Sequence, residues 1–370
     1  MPHRYDIAVV GDTAAGCAAA ARLAGKGWDT VLIRAAHAPV ESPLSDWVPG
    51  DFFRMPHLPS GLARRAGAVG FKRVVYHNAA LDRRHDYRRR GVLGYLAPRG
   101  AVADALRKAA RDAGTTRRST RVAPTLRLGE DAVRVVGSTQ TEARLLLVAH
   151  GRPGDIISDL SLPARSAPAT PLVVTGLDIP LDGGSGNLDG ALHVVEAREQ
   201  SEMGLLFVIG KTLHVRIISS SAAAGNRAAE LSNLVGDLQT AGILPDKLAL
   251  GAARGAVWHP PASAALDVET HIAKRCILAG TAGGFAGAIT GQTLWPSVRS
   301  ALLSAEVAAE ALSSEDPQKP LENFRNQWQT ALGDYLRPPS TSLQMLLPLL
   351  FANQRIVGRF TDALLFGKNI

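Results

Sequence analysis

The chain has 370 residues, 46% of them apolar and 20% charged, a balance that suits a globular protein with a large core and two lobes and that excludes a disordered or fibrous chain. Its net charge is +8, scattered apart from one cluster from Arg83 to Arg90. Aromatic interleaving is thin and no recognition motif is present, so nucleic acid is not the expected partner. Two cysteines, Cys17 and Cys276, exclude a disulfide framework and a cysteine metal cluster, and no stretch reaches the ~18 apolar residues of a membrane span.

The first thirty residues organise the rest. Tyr5 to Val10 is a short apolar run ending at Gly11, which predicts a buried strand and a tight turn. The small-residue run from Gly16 predicts a helix that lies close to a sheet, Gly25 to Gly27 ends it, and Asp29 to Ile33 predicts a second strand. Strand, turn, helix and strand in this span form the βαβ opening of a dinucleotide-binding fold. Gly11 and Gly16 hold the first and third glycine places of G-x-G-x-x-G, while Thr13 takes the second and brings a hydroxyl where backbone normally approaches a pyrophosphate. Arg34 stands at the end of the second strand, where a carboxylate usually receives a ribose hydroxyl; it can donate but not accept. The chain shows no apolar signal segment ahead of the first strand, which reads as cytoplasmic.

Prolines at 39, 43, 49, 56 and 59 predict an irregular segment before a short helix near Leu62. Strand-like pieces follow, and RRHDYRRR reads either as a solvated hairpin tip or as a docking patch for a phosphorylated cofactor, an anionic lipid surface or an acidic carrier. Val102, Ala105, Leu106 and Ala109 recur at helical spacing up to Gly114. A hairpin and a buried strand, Leu145 to Ala149, then stop at His150-Gly151. From Thr170 to about Gly255 alternating runs predict a mostly antiparallel sheet with one helix near Arg227 to Ala241. The strand Cys276 to Ala279 leads through a glycine-rich loop into a helix from about Pro296 to Leu312, and a helical tail breaks at Pro338-Pro339.

In this order of pieces the chain resembles the flavin-dependent monooxygenases of the p-hydroxybenzoate hydroxylase type, in the branch of geranylgeranyl reductases and tryptophan-halogenase-like proteins. The resemblance covers roughly residues 1 to 315. Carrying it are the turn from Gly11 to Gly16, Glu41-Ser42-Pro43, Arg99 at a helix start, His150-Gly151, and LAGTAGGFAGAITGQTLWPSVRSALLSAEVAAEAL, similar to the family segment L-x-G-D-A-A-G-x-x-x-P-x-x-G-x-G-x-x-x-A. It implies an α/β fold: a Rossmann-like FAD-binding lobe (1–68, 95–165 and 262–315), an inserted mostly antiparallel β-sheet substrate lobe (69–94 and 166–261) and C-terminal helices (316–370). It implies FAD held by Gly11, Thr13, Ala14, Ala15, Gly16, Arg34, Arg99, Gly280, Thr281, Gly291, Gln292 and Thr293, with small residues at Gly283, Gly284 and Gly287 for close approach. NAD(P)H, directly or through a flavin reductase, is the implied reductant, and a hydrophobic or aromatic small molecule the implied substrate, hydroxylated or reduced.

The chain departs from the family at ligand-facing places. Thr281 replaces an Asp, Ala288 a Pro, Thr293 a Gly, and His150 the Asp of Asp-Gly. Each lost acceptor is worth about 1 kcal/mol. Two readings therefore stand: a flavin-dependent oxidoreductase, and a flavin-free member that binds a small molecule or a partner. His259 is the one weak catalytic candidate. Trp295-Pro296 either wall the cavity or pack the core. Lys72 lacks the surrounding halogenase motif, W-x-W-x-x-I-P is absent, and no metal cluster, P-loop or nucleophile elbow is present. Apolar residues from Leu346 to Leu365 predict helices that cap the cavity or make a peripheral contact with a membrane or partner.

Overall fold

The computed structural model describes residues 3–35, 42–151, 160, 162, 172–183, 188, 190–197, 202–220 and 227–368. It opens on the expected crossover: β1 (Arg4–Val10), α1 (Ala14–Gly25) and β2 (Thr30–Arg34). Strands β3 (Asp46–Pro49), β4 (Val69–Phe71), β5 (Arg73–His77), β6 (Arg84–Arg88) and β7 (Gly94–Ala97) precede α2 (Arg99–Asp112). Four more follow: β8 (Thr116–Ser119), β9 (Thr125–Leu128), β10 (Val133–Val136) and β11 (Gln140–Val148). The inserted lobe supplies β12 (Val173–Pro180), β13 (Ala191–Glu196), β14 (Glu202–Ile209), β15 (Thr212–Ser219), α3 (Arg227–Thr240) and β16 (Arg254–Trp258). The chain returns through β17 (Ile272–Ala273), β18 (Cys276–Leu278) and α4 (Leu294–Ser313), and ends in α5 (Phe324–Leu336), α6 (Leu343–Leu346), α7 (Leu349–Ala352) and α8 (Val357–Phe366).

Two main sheets result. The first runs β17-β18-β11-β1-β2-β8 with β10 and β9 hung on β11, and β18, β11, β1, β2 and β8 are mutually parallel. A parallel sheet needs cover on both faces. Ile7 and Val9 of β1 pack into the core of α1, α2 and α4, while Ala8 and Val10 pack against Val133 and Val135 of the β9–β10 hairpin. The alanines of α1 allow close approach: Ala14, Ala15, Ala18, Ala19 and Ala20 are all buried. The second sheet runs β16-β12-β15-β14-β13-β5-β6, antiparallel except for the β13–β5 pair. One face holds Leu205, Phe207 and Ile218 against the C-terminal helices; the other holds Leu213, Val215 and Ile217 against α3.

Two expectations change. The proline-rich segment was expected to be irregular, yet β3 lies within it, paired to β7 with Trp47 opposite Leu96. Its Pro49 is the final residue of an edge strand, where a missing N–H is tolerated. RRHDYRRR is not a hairpin tip but the edge strand β6; the turn lies just before it, where Asn78 Oδ1 accepts from Arg83 N and Leu81 has φ 60°. His85 and Tyr87 turn inward, His85 stacking on Phe351, while Arg84 and Arg88 stay exposed. Charge on an edge strand discourages pairing with another chain.

Two buried histidines tie the fold to pH. His77 Nε2 meets His193 Nδ1 at 3.0 Å between β5 and β13, and His271 Nε2 meets the Gly283 carbonyl at 2.9 Å beside Phe285 and Trp328. Burial pushes both rings down to about 4. The unfolded chain protonates first, near pH 6.5, so their stabilising effect is complete above that value and is lost as pH falls toward 4. Urea unfolding at pH 7 and pH 4.5 is expected to differ by a few kcal/mol, and His271→Gln to flatten that difference.

Candidate functional site

The strand order puts a switch point at β1. From β1 the chain passes to β2 on one side and later to β11 on the other. In open α/β sheets such a crevice, at the carboxyl ends of the strands, is where ligands bind. Four predicted residues converge there: Gly11 after β1, Arg34 ending β2, His150 after β11 and Gly280 after β18. The ladder carries through their neighbours, with Gly11 N donating to Ile33 O, Ala149 N to Val10 O and Ala279 N to Val148 O, each at 2.9 Å.

The turn itself is built as the sequence implied. Gly11 has φ 124°, which only glycine adopts readily. Thr13 is the N-cap of α1, its Oγ1 accepting from Gly16 N at 3.1 Å. That bond occupies the oxygen as an acceptor and leaves the O–H of Thr13 free to donate. The first helical N–H groups, of Ala14 and Ala15, have no intrahelical acceptor and form the positive end of the helix. Gly16 lies so close to the turn that a β carbon there would sit 1.9 Å from the Gly11 carbonyl oxygen. Arg34 is exposed at the rim.

Sequence reasoning passed over Asp12, inside the same turn. Its carboxylate is clamped by Arg107 Nε of α2 and Arg117 Nη2 of β8, each at 2.8 Å, and it accepts from Cys17 Sγ at 3.3 Å. Burial pushes Asp12 up, but the two guanidiniums outweigh it and hold the carboxyl below its ordinary value. Arg107 also holds Asp104, so two cations meet two carboxylates beside the mouth of α1. The only signal in the sequence was an acid in a phosphate-facing turn, without its remote partners.

The opposite wall is packed more tightly than the resemblance implied. Thr281 is buried, and Gln292 and Thr293 are 1% and 0% accessible. Gln292 Nε2 donates to the Trp47 carbonyl, and its Oε1 accepts from Tyr335 at 2.7 Å. A β carbon at Gly287 would lie 2.7 Å from the Tyr335 ring, and one at Gly291 2.4 Å from Pro260. Gly283 and Gly284 are likewise closed in by Phe285 and by the Ala264–Ala265 backbone. These glycines serve the protein's own packing. Trp295 packs edge-on against Tyr335, a core role. His259 is exposed just past β16 and is not among the residues lining the cavity beside Ala288. Glu41 lies outside the described residues.

Unsatisfied polar atoms remain along the crevice. The His150 ring packs over Gly11, its Cβ 2.9 Å from where a β carbon would stand. It lies beside the Val10 carbonyl, yet neither ring nitrogen makes a well-formed hydrogen bond, and burial lowers its basicity. The Thr293 hydroxyl at the start of α4 is also buried and unpartnered. Between the lobes, Asp46 of β3 is pushed up to about 6 by burial, against the pull of Arg99 and Arg216. Arg216 of β15 is buried, bonded to Asp178 at 2.6 Å and lying over Phe207. A cavity of about 380 Å³ lies next to this junction, walled by Ala288, Ile289, Leu172, Leu266, Pro338 and Leu343. Among the described residues no group of three or more metal-ligating side chains occurs.

Gly11, the α1 N-terminus, Arg34 and His150 thus share the crevice at the strand ends, with the His150 ring over Gly11. The loop assigned to the ring end is held by protein contacts.

No protein-family model matches the chain, and no curated protein matches it by sequence. Among solved structures it is similar to a geranylgeranyl bacteriochlorophyll reductase-like protein from Thermoplasma acidophilum, with TM-score 0.72 and 14% identity over 99% of this chain and 97% of that one. It is similar to a flavoprotein/dehydrogenase from Cytophaga hutchinsonii, with TM-score 0.67 and 12% identity over 99% and 96%. It is also similar to the halogenase PltM, solved in complex with phloroglucinol and FAD, with TM-score 0.66 and 13% identity over 98% and 86%. The chain has the fold of these flavoproteins from end to end.

Proposed function

We propose that the chain is a flavin-dependent oxidoreductase that binds FAD with its phosphates at the mouth of α1 and acts on a hydrophobic or aromatic small molecule. The observation that carries this reading is the convergence of Gly11, Arg34, His150 and Gly280 at the switch point of a sheet whose fold is shared with FAD-binding proteins. Bound FAD supplies the redox chemistry, drawing electrons from NAD(P)H directly or from a flavin reductase. This chain's residues supply placement. Ala14 and Ala15 N–H groups face the phosphates. Arg34 meets adenine or a phosphate, and Arg99, buried at the start of α2, adds positive potential toward the junction. The mostly apolar cavity beside Ala288, with Asp267 and Gln344 also in its wall, takes the substrate.

A specific observation favours a second reading, a flavin-free binding protein: Gln292 and the glycines around it are committed to Trp47, Tyr335 and Pro260. Purified protein is expected to be yellow, or to quench the fluorescence of added FAD, with Arg34→Ala weakening binding about tenfold. Colourless protein that leaves FAD fluorescence unchanged would overturn the flavin reading and leave the second.

A further inference from the structure

The last helices carry an apolar face that nothing among the described residues covers. From Leu343 to Ala352 the backbone stays helical through α6, Leu347, Pro348 and α7. The inner side, Leu343, Leu347 and Leu350, is buried in the core against the second sheet. The outer side is Met345, Pro348, Leu349 and Ala352, all exposed, with Met345 58% and Leu349 49% accessible. These four recur at i, i+3, i+4 and i+7, so they form one stripe. The outward face of a surface helix is ordinarily polar, and an ordered apolar stripe there marks a contact.

Charge decides what the contact is. From Pro338 to Thr361 the chain has no carboxylate; its only charged side chains are Arg355 and Arg359, both exposed. The flanking acids are already neutralised: Asp334 lies 3.6 Å from Arg337, and Asp362 is bonded to Arg89 and Lys368. A second copy would bring like charge to like, since the chain carries +8. No helix among the described residues is long and apolar enough to cross a membrane. A shallow interfacial contact with an anionic lipid surface satisfies both features. The stripe enters the headgroup boundary, and the arginines meet phosphates.

We infer that the Met345–Ala352 face docks on anionic membrane, with Arg355 and Arg359 at the headgroups. The same segment begins at Ser342 to Gln344, which wall the inter-lobe cavity, so docking brings that cavity beside the lipid. The inference stands on surface geometry and does not depend on FAD.

Sedimentation of the full chain with phosphatidylglycerol–phosphatidylcholine vesicles tests it. Wild-type protein is expected to bind these vesicles and not pure phosphatidylcholine, and to be released by salt. Met345→Glu with Leu349→Glu is expected to lower binding about tenfold or more without changing thermal unfolding, because both positions are exposed. Arg355→Glu with Arg359→Glu is expected to weaken binding by roughly fivefold or more per residue. No binding, or equal binding by the glutamate variant, would overturn the inference. So would a wild-type dimer that the glutamate variant converts to monomer while vesicle binding is unchanged, since the face would then pair copies of the chain.

Discussion

Asp178→Ala is expected to lower folding stability by about 3–5 kcal/mol, and Arg216→Met to lower it far less. Arg216 is 3% accessible on the inner face of β15. Its Nη2 reaches Asp178 Oδ1 at 2.6 Å, and its Nη1 donates to the carbonyls of Val215 and Leu177. His214 joins the same carboxylate through Nδ1 at 2.8 Å. Room for the guanidinium comes from Gly176, where a β carbon would lie 2.9 Å from Arg216 Nη1. Removing Asp178 takes the bonded anion from a buried cation and leaves it only the Coulombic pull of Asp46, whereas removing Arg216 leaves a partly exposed carboxylate that water can reach. The double variant should therefore resemble Arg216→Met alone. The hydrogen bonds and charges of His214 and Arg216 outweigh burial and hold Asp178 below its ordinary value, so its contribution is complete above about pH 4 and fades as pH falls further. Urea unfolding of the three variants at pH 7 checks the order; an Asp178→Ala protein as stable as wild type would remove this account of the inter-lobe cluster.

Gly16→Ala is expected to cost about 3 kcal/mol or more, at the upper end of overpacking, and to abolish the proposed FAD binding together with stability. The added carbon would stand 1.9 Å from the Gly11 carbonyl oxygen, which is backbone and cannot rotate away. Helix α1 would have to retreat from β1, dragging the Ala14 and Ala15 N–H groups from the switch point and breaking the Thr13 cap. Gly25→Ala, where the β carbon meets nothing within 4 Å, is the matching control and should leave stability unchanged or slightly raised. Thermal unfolding of the pair reads the difference directly. Equal melting of the two variants would show that α1 does not need that approach.

The resemblance carried well where chain geometry alone sets the outcome. The opening crossover, the helix after Arg99, the inserted sheet, and the strand and helix around the glycine-rich loop all stand where their local patterns put them. Period-two and period-3.6 patterns and glycine at forced backbone angles are properties of neighbouring residues, and so they show in the order of the letters. The site was legible to the same depth: Gly11, Arg34, His150 and Gly280 were all marked as strand ends.

By itself, then, the sequence determined the helices and strands of an α/β scaffold and its opening turn, because each depends on contacts within a turn or two, whereas the sheet order joins strands more than a hundred residues apart. Only the tertiary structure decided what fills the crevice at the strand ends. Asp12 with Arg107 and Arg117, Gln292 with Trp47 and Tyr335, and Asp178 with Arg216 lie from 38 to 245 residues apart. Whether a buried polar group is satisfied by protein or left for a ligand depends on those distant partners, and a polar side chain in a motif does not name its partner.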